Sequence, residues 1–178
     1  MGPAVVVASL LAVVPTLGSV NEPDRFGPHD IPTLFSIGKN LDKNEVHFGL
    51  RLDAQCNPVG DAPVFAYWRQ YEQGPEITEG LNLLDETGYG IRDQEVERRP
   101  GAARVTLSLK ATKERRIIVN VKRGPDGTCV ALPLAQVAGT TARLEQVYVF
   151  VAGFLRVGYV ELRGVLPNGA PITERAKP

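Results

Sequence analysis

Charge is missing from the start of this chain. The first 20 of its 178 residues contain no Asp, Glu, Lys or Arg, and Ala4 to Leu17 is almost wholly apolar. A spanning helix wants roughly 20 apolar residues uninterrupted by proline. This run is shorter and contains Pro15, with the small residues Thr16, Gly18 and Ser19 after it. The pattern predicts a secretory signal peptide over residues 1–20, even though its amino-terminal side lacks the usual Lys or Arg. The alternative is an uncleaved anchor, which would be the chain's one route to a membrane. No cysteine follows the run, so lipid modification is not expected.

Net charge is absent too. Lys plus Arg number 20 and Asp plus Glu 20. The leader has none of them, so the remainder is also formally neutral and has no long-range pull on nucleic acid or an anionic surface. The densest basic stretch, Arg98 to Arg123, contains no aromatic residue that could stack on a base, so no nucleic-acid partner is expected.

Histidine, serine and cysteine are scarce. The two histidines are His29 and His47, and beyond the leader the serines are Ser36 and Ser108. There is no GxSxG elbow and no CxxC pair, so neither a serine hydrolase nor a metal or other cofactor is expected. Cys56 and Cys129 are the two cysteines. In an oxidising compartment an even count predicts a disulfide between them. Such a bond would contribute about 4 kcal/mol in the chain-entropy model. Two unpaired buried thiols are the alternative.

After the leader, residues 21–33 are rich in Pro, Asp and Gly and read as a linker, and residues 34–178 as a single β-domain. Alternation is clearest from Glu45 to Asp53, with Val46, Phe48, Leu50 and Leu52 on one face and Glu45, His47, Gly49, Arg51 and Asp53 on the other. Val64 to Tyr71 is aromatic on both faces and reads as a central strand. One short helix is predicted from Thr78 to Glu86, with Leu81 and Leu84 facing inward. Further strands are predicted over 104–111, 117–122, 128–134, 144–152, 157–165 and 172–174. The expected fold is all-β, an antiparallel β-sandwich or small barrel of about eight strands with one short helix.

LFSIGKNLDKNEVHFGLRLD, PVFAYWRQYEQGP, LNLLDETGYGI, ARLEQVYVFV, GYVELRG and PITER, spread from Leu34 to Arg175, together resemble DUF4833, a bacterial domain of unknown function found in exported proteins. The resemblance implies a place outside the cytosol, periplasmic or extracellular, and carries no reaction or ligand with it.

Among the residues themselves, Tyr67, Arg69 and Tyr71 alternate on one predicted strand face, with His47 and Arg51 on the polar face of a neighbour. Phenol rings and guanidinium groups on one surface suit a carboxylate-bearing or polar ligand, or a protein partner. The bland alternative packs these rings beneath a loop. The sequence therefore predicts an exported, non-enzymatic domain that binds a ligand or partner of the cell envelope. Two alternatives stand beside it. A carbohydrate-active hydrolase would use a carboxylate pair drawn from Glu72, Glu76, Glu79, Asp85 and Glu86. A structural assembly protein would show an exposed edge strand or apolar patch.

Overall fold

The computed structural model describes residues 33–74, 77–112, 114–152 and 156–176. The predicted signal peptide and residues 21–32 of the predicted linker lie outside the described residues. Thr33, the linker's last residue, instead opens the first strand. In chain order the elements are β1 (Thr33–Lys39), β2 (Glu45–Leu50), β3 (Val64–Arg69), β4 (Thr78–Gly80), α1 (Leu83–Tyr89), β5 (Ile91–Arg99), β6 (Ala102–Leu109), β7 (Arg116–Arg123), β8 (Cys129–Val137), β9 (Thr140–Ala152), β10 (Arg156–Val165) and β11 (Pro171–Ala176).

β9 is the hub because at 13 residues it is long enough to carry different partners along its length. From Arg143 to Ala152 it pairs with β10, which in turn carries β11. On β9's other edge, Thr140–Arg143 pairs antiparallel with β8, and Gln146–Val149 pairs parallel with β1. Two arms therefore leave the same edge, β1-β2-β3-β4 and β8-β7-β6-β5. The result is one mixed 11-stranded sheet that does not close into a barrel, rather than the antiparallel sandwich or barrel of about eight strands expected from periodicity. The parallel pairing joins segments about a hundred residues apart in sequence, and alternation within a strand says nothing about the direction of so distant a neighbour.

The helix also differs from expectation. It begins at Leu83, because Asn82 supplies the cap: its side-chain oxygen accepts from the Leu84 and Asp85 N–H groups at 2.9 and 3.0 Å. Thr78 belongs to β4 instead, paired with Arg69. Leu83 and Leu84 point to solvent, while Leu81, before the helix, packs against the core.

Both arms contribute to a single core. Phe35 and Phe48 stack at 4.5 Å between ring centres, and Val46, Phe48, Val105, Leu107, Leu109, Val119 and Val137 are fully buried. Burying each such side chain contributes roughly 1.5–3 kcal/mol. Several further ties join the arms, among them Arg98 on β5, which donates to Gly60 C=O in the β2–β3 connection at 2.6 Å. Cys56, in the β2–β3 connection, is disulfide-bonded to Cys129 at the start of β8, with Cα atoms 5.3 Å apart. The Gln94 amide on β5 stands in for a missing strand: its oxygen accepts from Val64 N–H at 3.0 Å and its nitrogen donates to Val64 C=O at 3.1 Å. Arg123 on β7 donates to Ala54 C=O at 2.9 Å. β11 is held separately, through Glu174, which accepts from Ala138 N–H in the β8–β9 turn at 2.6 Å and forms a two-pronged pair with Arg115.

At Gly164, β10 leaves no room for a side chain against β9. A β-carbon there would lie 2.6 Å from Arg143 C=O, at the point where the β9–β10 register shifts.

Candidate functional site

Register fixes which polar side chains share the face of β3, β2, β1, β9, β10 and β11 that points away from the core. One row runs Tyr67, His47, Ser36, Gln146, Arg163 and Thr173, each facing the next across a strand pair. In the adjacent row, Arg69 faces Glu45 on β2, and Gly38, Tyr148, Glu161 and Arg175 follow from β1 to β11. Period-2 alternation explains why these side chains emerge together: their chain neighbours Val46, Phe48, Trp68, Val147, Val149, Val160 and Leu162 all enter the core.

The rows are joined by a continuous chain of polar contacts. Tyr71 Oη lies 3.3 Å from His47 Nε2, which lies 3.4 Å from Glu45 Oε2. Gln146 Nε2 donates to Glu45 Oε1 at 2.9 Å, and Gln146 Oε1 accepts from Arg163 Nη1 at 2.8 Å. Arg163 Nε donates to Glu161 Oε1 at 2.8 Å, and Arg175 Nη2 to Glu161 Oε2 at 3.1 Å. Gly38 lets this chain pass over β1, since a β-carbon there would stand 3.0 Å from Gln146 Nε2 and 3.4 Å from Glu45 Oε1.

The charges are held firmly in their ionised forms. The hydrogen bond from His47 keeps the Glu45 carboxyl below its ordinary range, helped by Ser36 and Gln146 and opposed by burial. Bonds from Arg163 and then Arg175 do the same for Glu161. Each arginine also lies near an aromatic ring. Arg175 sits 4.0 Å from the Tyr159 ring centre, Arg51 4.3 Å from Phe65, Arg163 4.4 Å from Tyr148 and Arg69 5.8 Å from Tyr71. Tyr159 itself stacks on Phe150 at 4.8 Å. The face thus sets four guanidinium groups, those of Arg51, Arg69, Arg163 and Arg175, against the carboxylates of Glu45 and Glu161.

The five residues singled out from sequence fall at one end of this face and play unequal parts. Tyr67 and His47 are only 3% and 6% exposed, so the β2 face expected to be polar and open is covered. The reason is packing: the His47 ring lies against Tyr67 at 5.8 Å and Tyr71 at 6.0 Å. Tyr67 Oη lies 3.4 Å from Thr33 Oγ1. Tyr71, at 36% exposed, lies just past the end of β3 in a turn and reaches the surface. Arg51 and Arg69 are half-buried. Two polar atoms here, His47 Nδ1 and Arg51 Nε, are buried without a hydrogen-bond partner.

The other end of the face escaped sequence reasoning. Gln146, Tyr148, Glu161, Arg163 and Arg175 sit within segments read as strands, but a single strand's pattern cannot show that β9 and β10 extend the same row as His47. There the face opens: the Arg163 side chain is 41% exposed and Arg175 61%.

Ser36 does not form a nucleophile–base pair with His47, because its hydroxyl hydrogen-bonds the Glu45 carboxylate. The acids considered for a hydrolytic pair are engaged locally. Trp68 Nε1 donates to Asp85 at 2.9 Å, Gln70 donates to Glu79 at 2.9 Å, Glu72 lies 3.5 Å from Lys43 N–H, and Glu86 lies 3.8 Å from Lys110. Glu76 lies outside the described residues. Among the described residues no group of three or more His, Cys, Asp or Glu is placed to hold a metal ion, and no helix is long and apolar enough to cross a membrane.

Neither the curated proteins nor the solved structures contain a match to this chain. A family match does exist, and it covers residues 35–175, which reach into every strand of the arginine–tyrosine face: the chain belongs to the family described as a domain of unknown function, DUF4833.

Proposed function

We propose that this domain is an exported, non-enzymatic binding module of the cell envelope that holds a carboxylate-bearing ligand on its arginine–tyrosine face. The observation that carries the reading is the pair Arg163 and Arg175, each laid on a tyrosine ring and both fixed by Glu161, with N–H groups left facing solvent. Guanidinium groups oriented in advance lose little freedom when a carboxylate docks, and their planar forks match it in geometry. Exposed Tyr71 supplies flat apolar area at the opposite, β3 end of the same face. Buried His47, Tyr67 and Ser36 act beneath this surface by holding Glu45 and, through Gln146, Arg163.

The disulfide and the uncharged apolar leader support export, since such bonds persist in oxidising compartments. The hydrogen-bonded ionised state of Glu45 and Glu161 suits the anchoring of arginines and does not suit a general acid, which needs its proton held.

Calorimetric titration tests this with an acidic oligosaccharide, oligogalacturonate, against its carboxyl-reduced neutral counterpart. The acidic form should bind and the neutral form should not, and Arg175→Lys should weaken binding about tenfold because a lysine keeps the charge but not the fork. Equal binding of both sugars, or full affinity in Arg175→Lys, would refute the assignment of carboxylate recognition to this face.

A further inference from the structure

The basic stretch from Arg98 to Arg123 is left unused by the arginine–tyrosine face. The fold distributes it over β5, β6 and β7, and alternation sends part of it to the solvent side of that arm. There it surrounds an aliphatic strip. Register places Ile118 on β7 beside Leu134 on β8, Asn120 beside Leu132 and Lys122 beside Val130. Ile118 and Leu132 are each 37% exposed and Val130 40%. Three adjoining depressions share these residues.

Cations border the strip on several sides. Arg104 on β6 faces Asn120, Arg143 on β9 faces Leu134, and Lys122 lies beside Val130. Arg99 lines the same depression as Lys122, and Arg116 another with Ile118. Acids answer some of them: Glu97 lies 3.2 Å from Arg99 and 3.9 Å from Arg104, Glu145 lies 2.6 Å from Arg143, Glu95 shares the row of Ile118 through Thr106, and Glu114 lines the same depression as Arg116. Among the described residues, Arg116 and Lys122 enter no ion pair, so the β7 side keeps its positive charge.

We propose that this face docks the domain on an anionic lipid bilayer. Exposed aliphatic side chains in the middle of a basic border match the layering of such a surface: long cationic side chains reach phosphate headgroups while the strip enters the boundary with the acyl chains. A peptide is the poorer fit. β6 and β7, in the middle of the face, are each flanked by strands on both sides and offer an extended partner no backbone N–H or C=O to pair with. Neutral overall charge does not oppose the contact, because screening limits each headgroup to the cations within roughly 8–10 Å of it.

Co-sedimentation of the full chain with vesicles tests the proposal, comparing equimolar phosphatidylglycerol and phosphatidylcholine with phosphatidylcholine alone. Binding is expected only to the anionic vesicles. Lys122→Gln should lower the partition coefficient about fivefold, the loss of one cation near the surface. Arg104→Gln should act in the same direction. Leu132→Thr, which keeps a strand-compatible side chain, should also weaken binding, and thermal melts matching the parent would show each variant folded. Vesicle binding unchanged in every variant would assign it to the apolar N-terminal run and overturn the proposal. So would absence of vesicle binding, whether the face then captured poly-glutamate or, by sedimentation velocity, a second copy through Leu132.

Discussion

Reducing the Cys56–Cys129 bond should cost this domain a large share of its stability, and the size of the loss follows from where the bond lies. It spans 73 residues and joins the β2–β3 connection of one arm to the first residue of β8 in the other. For a closed loop of that length the chain-entropy model gives about 4 kcal/mol. Against this stands the backbone at Cys56, a non-glycine residue at φ 66°, whose left-handed conformation costs about 1 kcal/mol. The net contribution is about 3 kcal/mol, and with a urea slope of about 2 kcal/mol per molar the midpoint should fall by about 1.5 M on reduction. The assay is urea unfolding followed by Trp68 fluorescence, since Trp68 is packed in the core with its N–H bonded to Asp85. The double variant Cys56→Ser with Cys129→Ser should match the reduced parent. A midpoint that moves by less than about 0.3 M would refute the reasoning, because it would mean the two arms are held together without the bond.

Three further outcomes are expected. Gly38→Val should destabilise by about 1–2 kcal/mol in the same urea assay despite valine's preference for strands, because the side chain would separate Gln146 from Glu45. Acidification should destabilise the domain: Glu45, Glu161 and Glu174 are held below the ordinary value of 4.5, so their contribution is complete above that pH and is lost as pH falls below it through their folded values. A series of urea midpoints from neutral to acid pH would show this, and Glu174→Gln should flatten the fall. Gln94→Ala should speed amide hydrogen exchange at Val64 about tenfold, since Val64 N–H bonds the Gln94 side chain, and an unchanged rate would deny that the amide clips β3 to β5.

Strands with apolar alternation were legible in the sequence, and so was the disulfide, because two cysteines leave one possible pairing. β5 was not, since outside Ile91 and Val96 its residues are charged or amide side chains, and Gln94 earns its place by a backbone contact no hydropathy pattern encodes. The helix start was misjudged because Thr78 and Asn82 are both competent caps, and only strand pairing with Arg69 commits Thr78 elsewhere. Burial of His47 was hidden for a related reason: a polar residue opposite Val46 and Phe48 reads as solvent-facing until Tyr67 and Tyr71 close over it. The half of the site on β9, β10 and β11 depends on register between segments far apart in the chain, which local periodicity does not carry.

The proposal that this domain works outside the cytosol, held as one body by its sulfur bridge, is tested most directly by intact-mass spectrometry of the protein recovered from its native cells after alkylation without reductant. Removal of the apolar leader, together with a mass showing neither Cys56 nor Cys129 alkylated, is the expected result. A full-length product starting at Met1 with both thiols alkylated would contradict it.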